Sequence, residues 1–223
     1  MTSARAVDGV IFDLDGTLVE SLPTIALAMQ EALAAYGIEK TIAEVYPIIG
    51  PPIETMALQL GASPEDARLI GVEYRRRYDE QYIQRTEPCA GARELLDDLD
   101  AAGIPYAIVT NKREYSGLQM LDVMGWRTRV RALAGRDTEG AGEKPDPAAA
   151  RFGLRALGIE ASRAAFVGDT EFDMRCGRDA GIAFVIGVLG ARSAEQLRAE
   201  GATHVAASLD AVGEILLGAA VSR

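Results

Sequence analysis

The sequence predicts an α/β protein: a doubly wound, mainly parallel sheet with an all-helical segment inserted after its first strand. Three observations lead there. Short apolar runs alternate with longer helical stretches along most of the 223 residues. Most of those runs are continuous rather than alternating, which is how strands covered on both faces read. About ninety residues separate the first run from the second, far more than one crossover connection requires.

Taken in order, the first strand is "VDGVIF", residues 7–12. The insertion follows, from Ser21 to about Glu87, with helical patterning punctuated by Gly37, Gly50, Pro51, Pro52, Gly61 and Pro64. The spacing then predicts a helix in "GARELLDDLDAAG", stopped by Gly103, and strands at residues 106–110 and 130–133. "DPAAARFGLRALG" reads as a helix with Asp146 as N-cap, Pro147 in the first turn and Gly158 as the stop. Strands at residues 164–168, 183–188 and 204–207 complete the series, with a helix from Ser193 to Gly201 between the last two. Strand, helix, strand repeated in this way is the pattern of a doubly wound sheet.

Composition narrows the chemistry. Apolar residues make up 48% of the chain, enough for a sizeable core, and the net charge is −10. Such acidity argues against nucleic acid and anionic membrane as partners. No apolar run reaches the ~20 residues of a membrane span, and the first residues show no signal-peptide pattern. The expectation is a soluble cytoplasmic protein. Cys89 and Cys176 are too far apart in sequence for a metal spacing and read as ordinary buried or half-buried thiols. His204 is the single histidine, which excludes zinc sites built on several histidines. It has no "GxSxG" elbow to serve, so it reads as a surface or strand-edge residue. Chemistry must therefore rest on carboxylates, hydroxyls, amides and lysine.

In a doubly wound sheet, ligands bind beyond the C-terminal ends of the strands. The first strand ends in Asp13, with Asp15 two residues on. Like charges that close raise each other's pKa and need a reason. The second strand ends in Thr110 and Asn111; the fourth ends in "GDTEFD", which holds Asp169 and Asp173. Lys144, in "EKPDP", precedes the helix leading into that strand. Asp13, Asp15 and Asp169 supply hard oxygen ligands of the kind Mg2+ takes, and a dication would make their charge tolerable. Lys144 adds a positive charge for phosphate. Thr110 adds a hydroxyl, and the amides after it are expected to open a helix, an anion site. Gly16 allows close backbone approach beside the aspartates. Each piece alone is common; their order and their placement at strand ends give the set its weight.

"DLDGTL", "TN", "KP" and "GDTEFD" together resemble the four motifs of the haloacid dehalogenase superfamily of phosphotransferases, in the right order and over essentially the whole chain. "DLDGTLVES" and "TNK" are most similar to its phosphoglycolate phosphatase-like branch. The resemblance implies a Rossmann-like core at residues 1–18 and 89–223 and a type 1 helical cap at residues 19–88. It implies that Asp13 is the nucleophile, forming an aspartyl-phosphate, and Asp15 the general acid and base. Asp13, Asp15 through its carbonyl, and Asp169 would hold Mg2+, with Asp173 beside them through water or through Lys144. Gly16, Thr110, Asn111 and Lys144 would bind the phosphoryl group. An acid at Asp15 favours phosphate esters over halo-acids, since a halide leaves without a proton.

The expected partner is a small phosphorylated metabolite, 2-phosphoglycolate first, acted on by a monomer or homodimer. A phosphosugar mutase shares every core motif and is the alternative. A receiver-type signalling module uses similar residues but would lack the insertion, and a silent interaction protein would not need the intact set. Members of the superfamily often carry Asp where this chain has Glu20, at the cap junction. Hinges are expected near residues 19–21 and 87–91, and "IIGPPI" is either a loop reaching the substrate or a plain turn between helices. Arg75, Arg76 and Arg77 read as a solvated face paired with acids; Trp126 reads as core.

Overall fold

Residues 6–218 are described by the structure, a computed structural model. Strand β1 (Gly9–Phe12) leads to a two-residue strand β2 (Val19–Glu20), which is followed by helices α1 (Leu22–Ala34), α2 (Ile42–Val45), α3 (Ile53–Gln59) and α4 (Pro64–Arg77). After α4 the coil widens into a π-helical turn at Tyr78–Tyr82 and tightens to a 3-10 turn at Ile83–Arg85 before β3 (Glu87–Pro88). The chain continues as α5 (Ala92–Ala102), β4 (Tyr106–Val109), α6 (Glu114–Met124), β5 (Leu133–Ala134) and α7 (Pro147–Leu157). It closes with β6 (Ala164–Gly168), α8 (Glu171–Asp179), β7 (Phe184–Val188), α9 (Ala194–Ala199), β8 (His204–Ala206) and α10 (Leu209–Leu217).

Two compact units emerge, residues 1–19 with 88–223, and residues 20–87. In the first, the described strands form a six-stranded sheet ordered β5-β4-β1-β6-β7-β8, every pairing parallel. The chain starts in the middle and builds outward to both sides, which leaves a crevice where the order reverses beside β1. Both β1 and β6 are fully buried along their length, hence their unbroken apolar sequence. Ile11, Val109, Phe166 and Val185 pack with Ala149, Ala150 and Leu154 of α7 and Met174 and Cys176 of α8. On the alternate positions of the pleat, Phe12 and Tyr106 meet edge to face at 6.2 Å.

Helix ends follow the local chemistry of the sequence. The Asp146 carboxylate accepts the Ala148 N–H at 2.8 Å, Pro147 opens α7, and Gly158 ends it in the left-handed conformation. Ser193 caps α9 and Gly103 stops α5 in the same manner. Strand boundaries shift where side chains cannot decide them. The strand expected at 130–133 forms instead at Leu133–Ala134, because the Ile108 and Thr110 N–H groups select the Ala132 and Ala134 carbonyls as partners. Trp126 is buried, and His204 begins the edge strand, exposed and stacked on Phe184.

In the second unit, Ser63 caps α4 through the Asp66 amide, and Thr41 and Glu44 form a reciprocal capping box on α2. Each of the three consecutive arginines finds a carboxylate: Arg75 pairs with Glu54 at 2.6 Å, while Arg76 and Arg77 converge on Glu73, Arg76 reaching Glu80 as well and Arg77 reaching Glu31. Tyr74 of α4 stacks at 5.4 Å on Tyr78, the first residue of the π-helical turn that follows. Among the described residues no helix is long and apolar enough to cross a membrane.

Candidate active site

Parallel pairing in register fixes the floor of the site. Phe12 lies opposite Ile108 of β4 and Val167 of β6, so Asp13 follows directly at the C-terminal end of the central strand. Its amide donates to the Val167 carbonyl at 2.9 Å, extending the ladder by one bond and holding Asp13 beside the end of β6. Asp169, one residue beyond β6, therefore arrives next to it, and Asp173 follows from the first turn of α8. Carboxylate oxygens of Asp13, Asp169 and Asp173 lie within 4.8 Å of one another, and all three residues are buried.

Lys144 enters from the loop before α7. Its Nζ sits 2.6 Å from Oδ1 of Asp13 and 2.6 Å from Oδ1 of Asp173, with 3% of the side chain exposed. Asn111 holds it there: its side-chain N–H donates to the Lys144 carbonyl at 3.0 Å, and its side-chain oxygen accepts the Lys144 amide at 2.8 Å. Asp173 is tied at its other oxygen, where Oδ2 accepts the Thr170 hydroxyl at 2.6 Å and the Thr170 amide at 3.0 Å. One carboxylate thus caps α8 and grips the lysine at once, so the acid-rich helix start and the site are the same feature.

Burial and charge together set the protonation. Burial, then the Asp173 charge, pushes the Asp13 carboxyl up to about 7 against the pull of Lys144. Asp169 is raised well above the ordinary carboxyl range by burial and by the charges of Asp13 and Asp173. Burial works against the Lys144 ammonium, but Asp13 and Asp173 outweigh it and hold its pKa above the usual lysine value. Three buried carboxylates facing one ammonium leave negative charge that a hard dication fits, and Mg2+ takes such oxygens.

Asp15 stands slightly apart. Its Oδ1 is 3.1 Å from the Lys112 Nζ rather than in the Lys144 cluster. Between the two aspartates and β2 the chain makes a tight turn in which Gly16 adopts φ 79° and donates to the Val19 carbonyl, a conformation that favours glycine. Thr110 is buried at the end of β4, but the helix expected directly after it opens only at Glu114. The reason is local: the Thr110 hydroxyl accepts the Lys112 amide at 3.1 Å and forms a turn in place of a first helical turn.

All eight residues singled out from the sequence lie at this sheet edge, with the tightest ionic cluster formed by Asp13, Lys144, Asp169 and Asp173. Three contributors escaped sequence reasoning. Thr17, buried, donates its hydroxyl to Oδ1 of Asp169 at 3.1 Å; Thr170 clamps Asp173; Lys112 pairs with Asp15. Thr17 and Lys112 stand inside the quoted "DLDGTL" and "TNK", but a side chain's partner 152 residues away is invisible without the fold.

Residues 10–187 match the family described as haloacid dehalogenase-like hydrolase. The phosphoglycolate phosphatase of Xylella fastidiosa is 35% identical over 83% of this chain and 82% of its own. That of Pseudomonas savastanoi pv. phaseolicola is 37% identical over 79% of this chain and 67% of its own. Among solved structures, a HAD family hydrolase from Deinococcus radiodurans R1, crystallised with bound phosphate and sodium, aligns with a TM-score of 0.75 at 26% identity, covering 96% of this chain and 99% of that one.

Proposed function

The chain belongs to the haloacid dehalogenase-like hydrolase family, and from that premise we propose that it is a Mg2+-dependent phosphatase of a small phosphate monoester, with 2-phosphoglycolate as the first substrate to test. The observation that carries this is the cluster of three buried carboxylates around one buried lysine at the C-terminal edge of a parallel sheet. The names of the curated relatives support the substrate.

A carboxylate oxygen of Asp13 attacks phosphorus, forming the O–P bond of an aspartyl-phosphate while the bond to the leaving oxygen breaks. Asp15 gives its proton to that oxygen. Asp15 then takes a proton from water, whose oxygen attacks phosphorus and returns Asp13 as a free carboxylate with release of inorganic phosphate. Lys144 and Thr110 hold the transferring group, with amides near Gly16 and Asn111 completing its shell. Asp173 orients Lys144, and Thr17 orients Asp169. Asp13, Asp169 and the Asp15 carbonyl are the residues to hold Mg2+, which supplies charge neutralisation for the phosphoryl oxygens.

Residues 19–88 are the cap in this proposal and residues 1–18 with 89–223 the core, working in the cytoplasm as monomer or homodimer. The test is release of inorganic phosphate from small phosphorylated acids, sugars and nucleotides, with Mg2+ and with a chelator. Mg2+-dependent release that disappears in Asp13→Asn is the expected result, with the variant's circular dichroism unchanged. Wild-type rates in that variant would remove Asp13 as nucleophile. Isomerisation of a hexose phosphate without phosphate release would make the protein a mutase instead.

A further inference from the structure

Lys112 directly follows the "TN" of the second motif, its side chain is only 8% exposed, and its Nζ lies 3.1 Å from Oδ1 of Asp15, itself 16% exposed. An ion pair shielded to that degree holds geometry far better than a surface pair does. The backbone beneath it is fastened at both ends. The Lys112 N–H donates to the Thr110 hydroxyl at 3.1 Å, and its carbonyl accepts the Arg136 N–H at 3.0 Å. Gly135 lies so close that a Cβ there would fall 2.7 Å from the Lys112 carbonyl oxygen and 2.2 Å from the Glu114 nitrogen. The loop after β4 is thus locked against the loop after β5, and the lysine is presented to the turn after β1 from a fixed base.

We propose that Lys112 is a positioning residue for proton transfer: through Oδ1 it fixes the plane of the Asp15 carboxyl, and so the direction along which Asp15 reaches the leaving oxygen. The inference rests on the assignment of Asp15 as general acid. It predicts a dependence on the leaving group. An alkoxide must be protonated as it departs, whereas a nitrophenolate leaves without help. Misaiming Asp15 therefore slows the first step, read in kcat/KM, for alkyl phosphates and spares it for aryl phosphates, whereas the water step that Asp15 also serves is common to all substrates and enters kcat alone. A lysine that instead bound a carboxylate of the substrate would matter only for substrates that carry one.

The experiment measures kcat and KM of wild type, Lys112→Met, Asp15→Asn and the double variant on 2-phosphoglycolate, ethyl phosphate and p-nitrophenyl phosphate, with Mg2+. Lys112→Met is expected to lower kcat/KM about 10- to 100-fold on both alkyl phosphates and less than about threefold on p-nitrophenyl phosphate. In the Asp15→Asn background the same substitution should change nothing further. Loss confined to 2-phosphoglycolate, seen in KM, overturns the proposal in favour of carboxylate binding. Equal loss of kcat/KM on all three substrates, or full additivity with Asp15→Asn, overturns it as well. If Asp15→Asn itself shows no leaving-group dependence, the general-acid assignment falls and takes this inference with it. Lys112→Arg, which keeps the charge, is the check on folding: it should recover part of the alkyl phosphate rate, and an Arg variant as slow as Met with native melting refutes an ionic role.

Discussion

Replacing Asp169 by Asn should stabilise the metal-free protein while abolishing its response to Mg2+. The substituted side chain keeps an oxygen to accept the Thr17 hydroxyl now bonded to Asp169 Oδ1 at 3.1 Å. What it loses is a charge. Carboxylate oxygens of Asp13, Asp169 and Asp173 lie within 4.8 Å of one another. At that separation and an effective dielectric of about 20, each like pair repels by about 3 kcal/mol. Lys144 offsets one of the two carboxylates that Asp169 faces, so about one such repulsion is relieved. For a chain of this length that is a rise in Tm of about 6–12 °C.

The effect carries a pH signature. Asp169 is raised in the folded state by burial and by its neighbours' charges, so the folded chain holds the proton more tightly than the unfolded one. Wild-type stability in a chelator accordingly falls as pH climbs from about 4 through the raised value, and Asp169→Asn escapes the share of that fall due to Asp169, keeping the share due to Asp13. The two proteins should melt close together at pH 5 and diverge at pH 8. Adding Mg2+ at pH 8 should restore wild type by about 2.7 kcal/mol at a hundredfold excess over Kd and leave the variant nearly unmoved. Scanning calorimetry in EDTA and in MgCl2 reads all of this. A variant that melts below wild type in EDTA at pH 8 would refute the claim that the carboxylates repel one another there.

Three other outcomes are expected. Asn111→Ala removes both side-chain bonds to the Lys144 backbone and should cost about 1–3 kcal/mol by urea denaturation, with a larger proportional fall in phosphate release than in Mg2+ affinity. Gly168→Ala would place a Cβ 2.3 Å from the Asp173 side chain, which cannot yield without releasing Lys144 and Thr170; an overpacking cost of about 1–3 kcal/mol together with near-complete loss of activity is expected. The Cys176 thiol, buried and pushed up to about 12 by that burial, should resist iodoacetamide at pH 8 until the protein unfolds, whereas half-buried Cys89 reacts in the native state; mass spectrometry of the labelled peptides distinguishes them.

The sequence by itself determined the architecture and most of the site. Continuous apolar runs such as "AAFVG" leave no solvent face, so they must become inner strands of a parallel sheet, and β6 forms over that stretch. Punctuation at Asp146, Pro147 and Gly158 dictates where α7 begins and ends, since capping is a contact between near neighbours. Because parallel strands all end on one side, aspartates placed after β1 and β6 had to share an edge. Only the tertiary structure decided which charge meets which. Asp13 pairs with Lys144 and Asp15 with Lys112, although both aspartates lie in one short turn. Thr17 reaches Asp169 and Asn111 grips the Lys144 backbone across strands that the chain order keeps far apart. The helix expected after Thr110 yields to a hydroxyl–amide turn, and β5 shifts to the residues whose carbonyls β4 presents. Local chemistry is written in neighbouring residues; partners chosen by sheet order and register exist only once the strands have lined up.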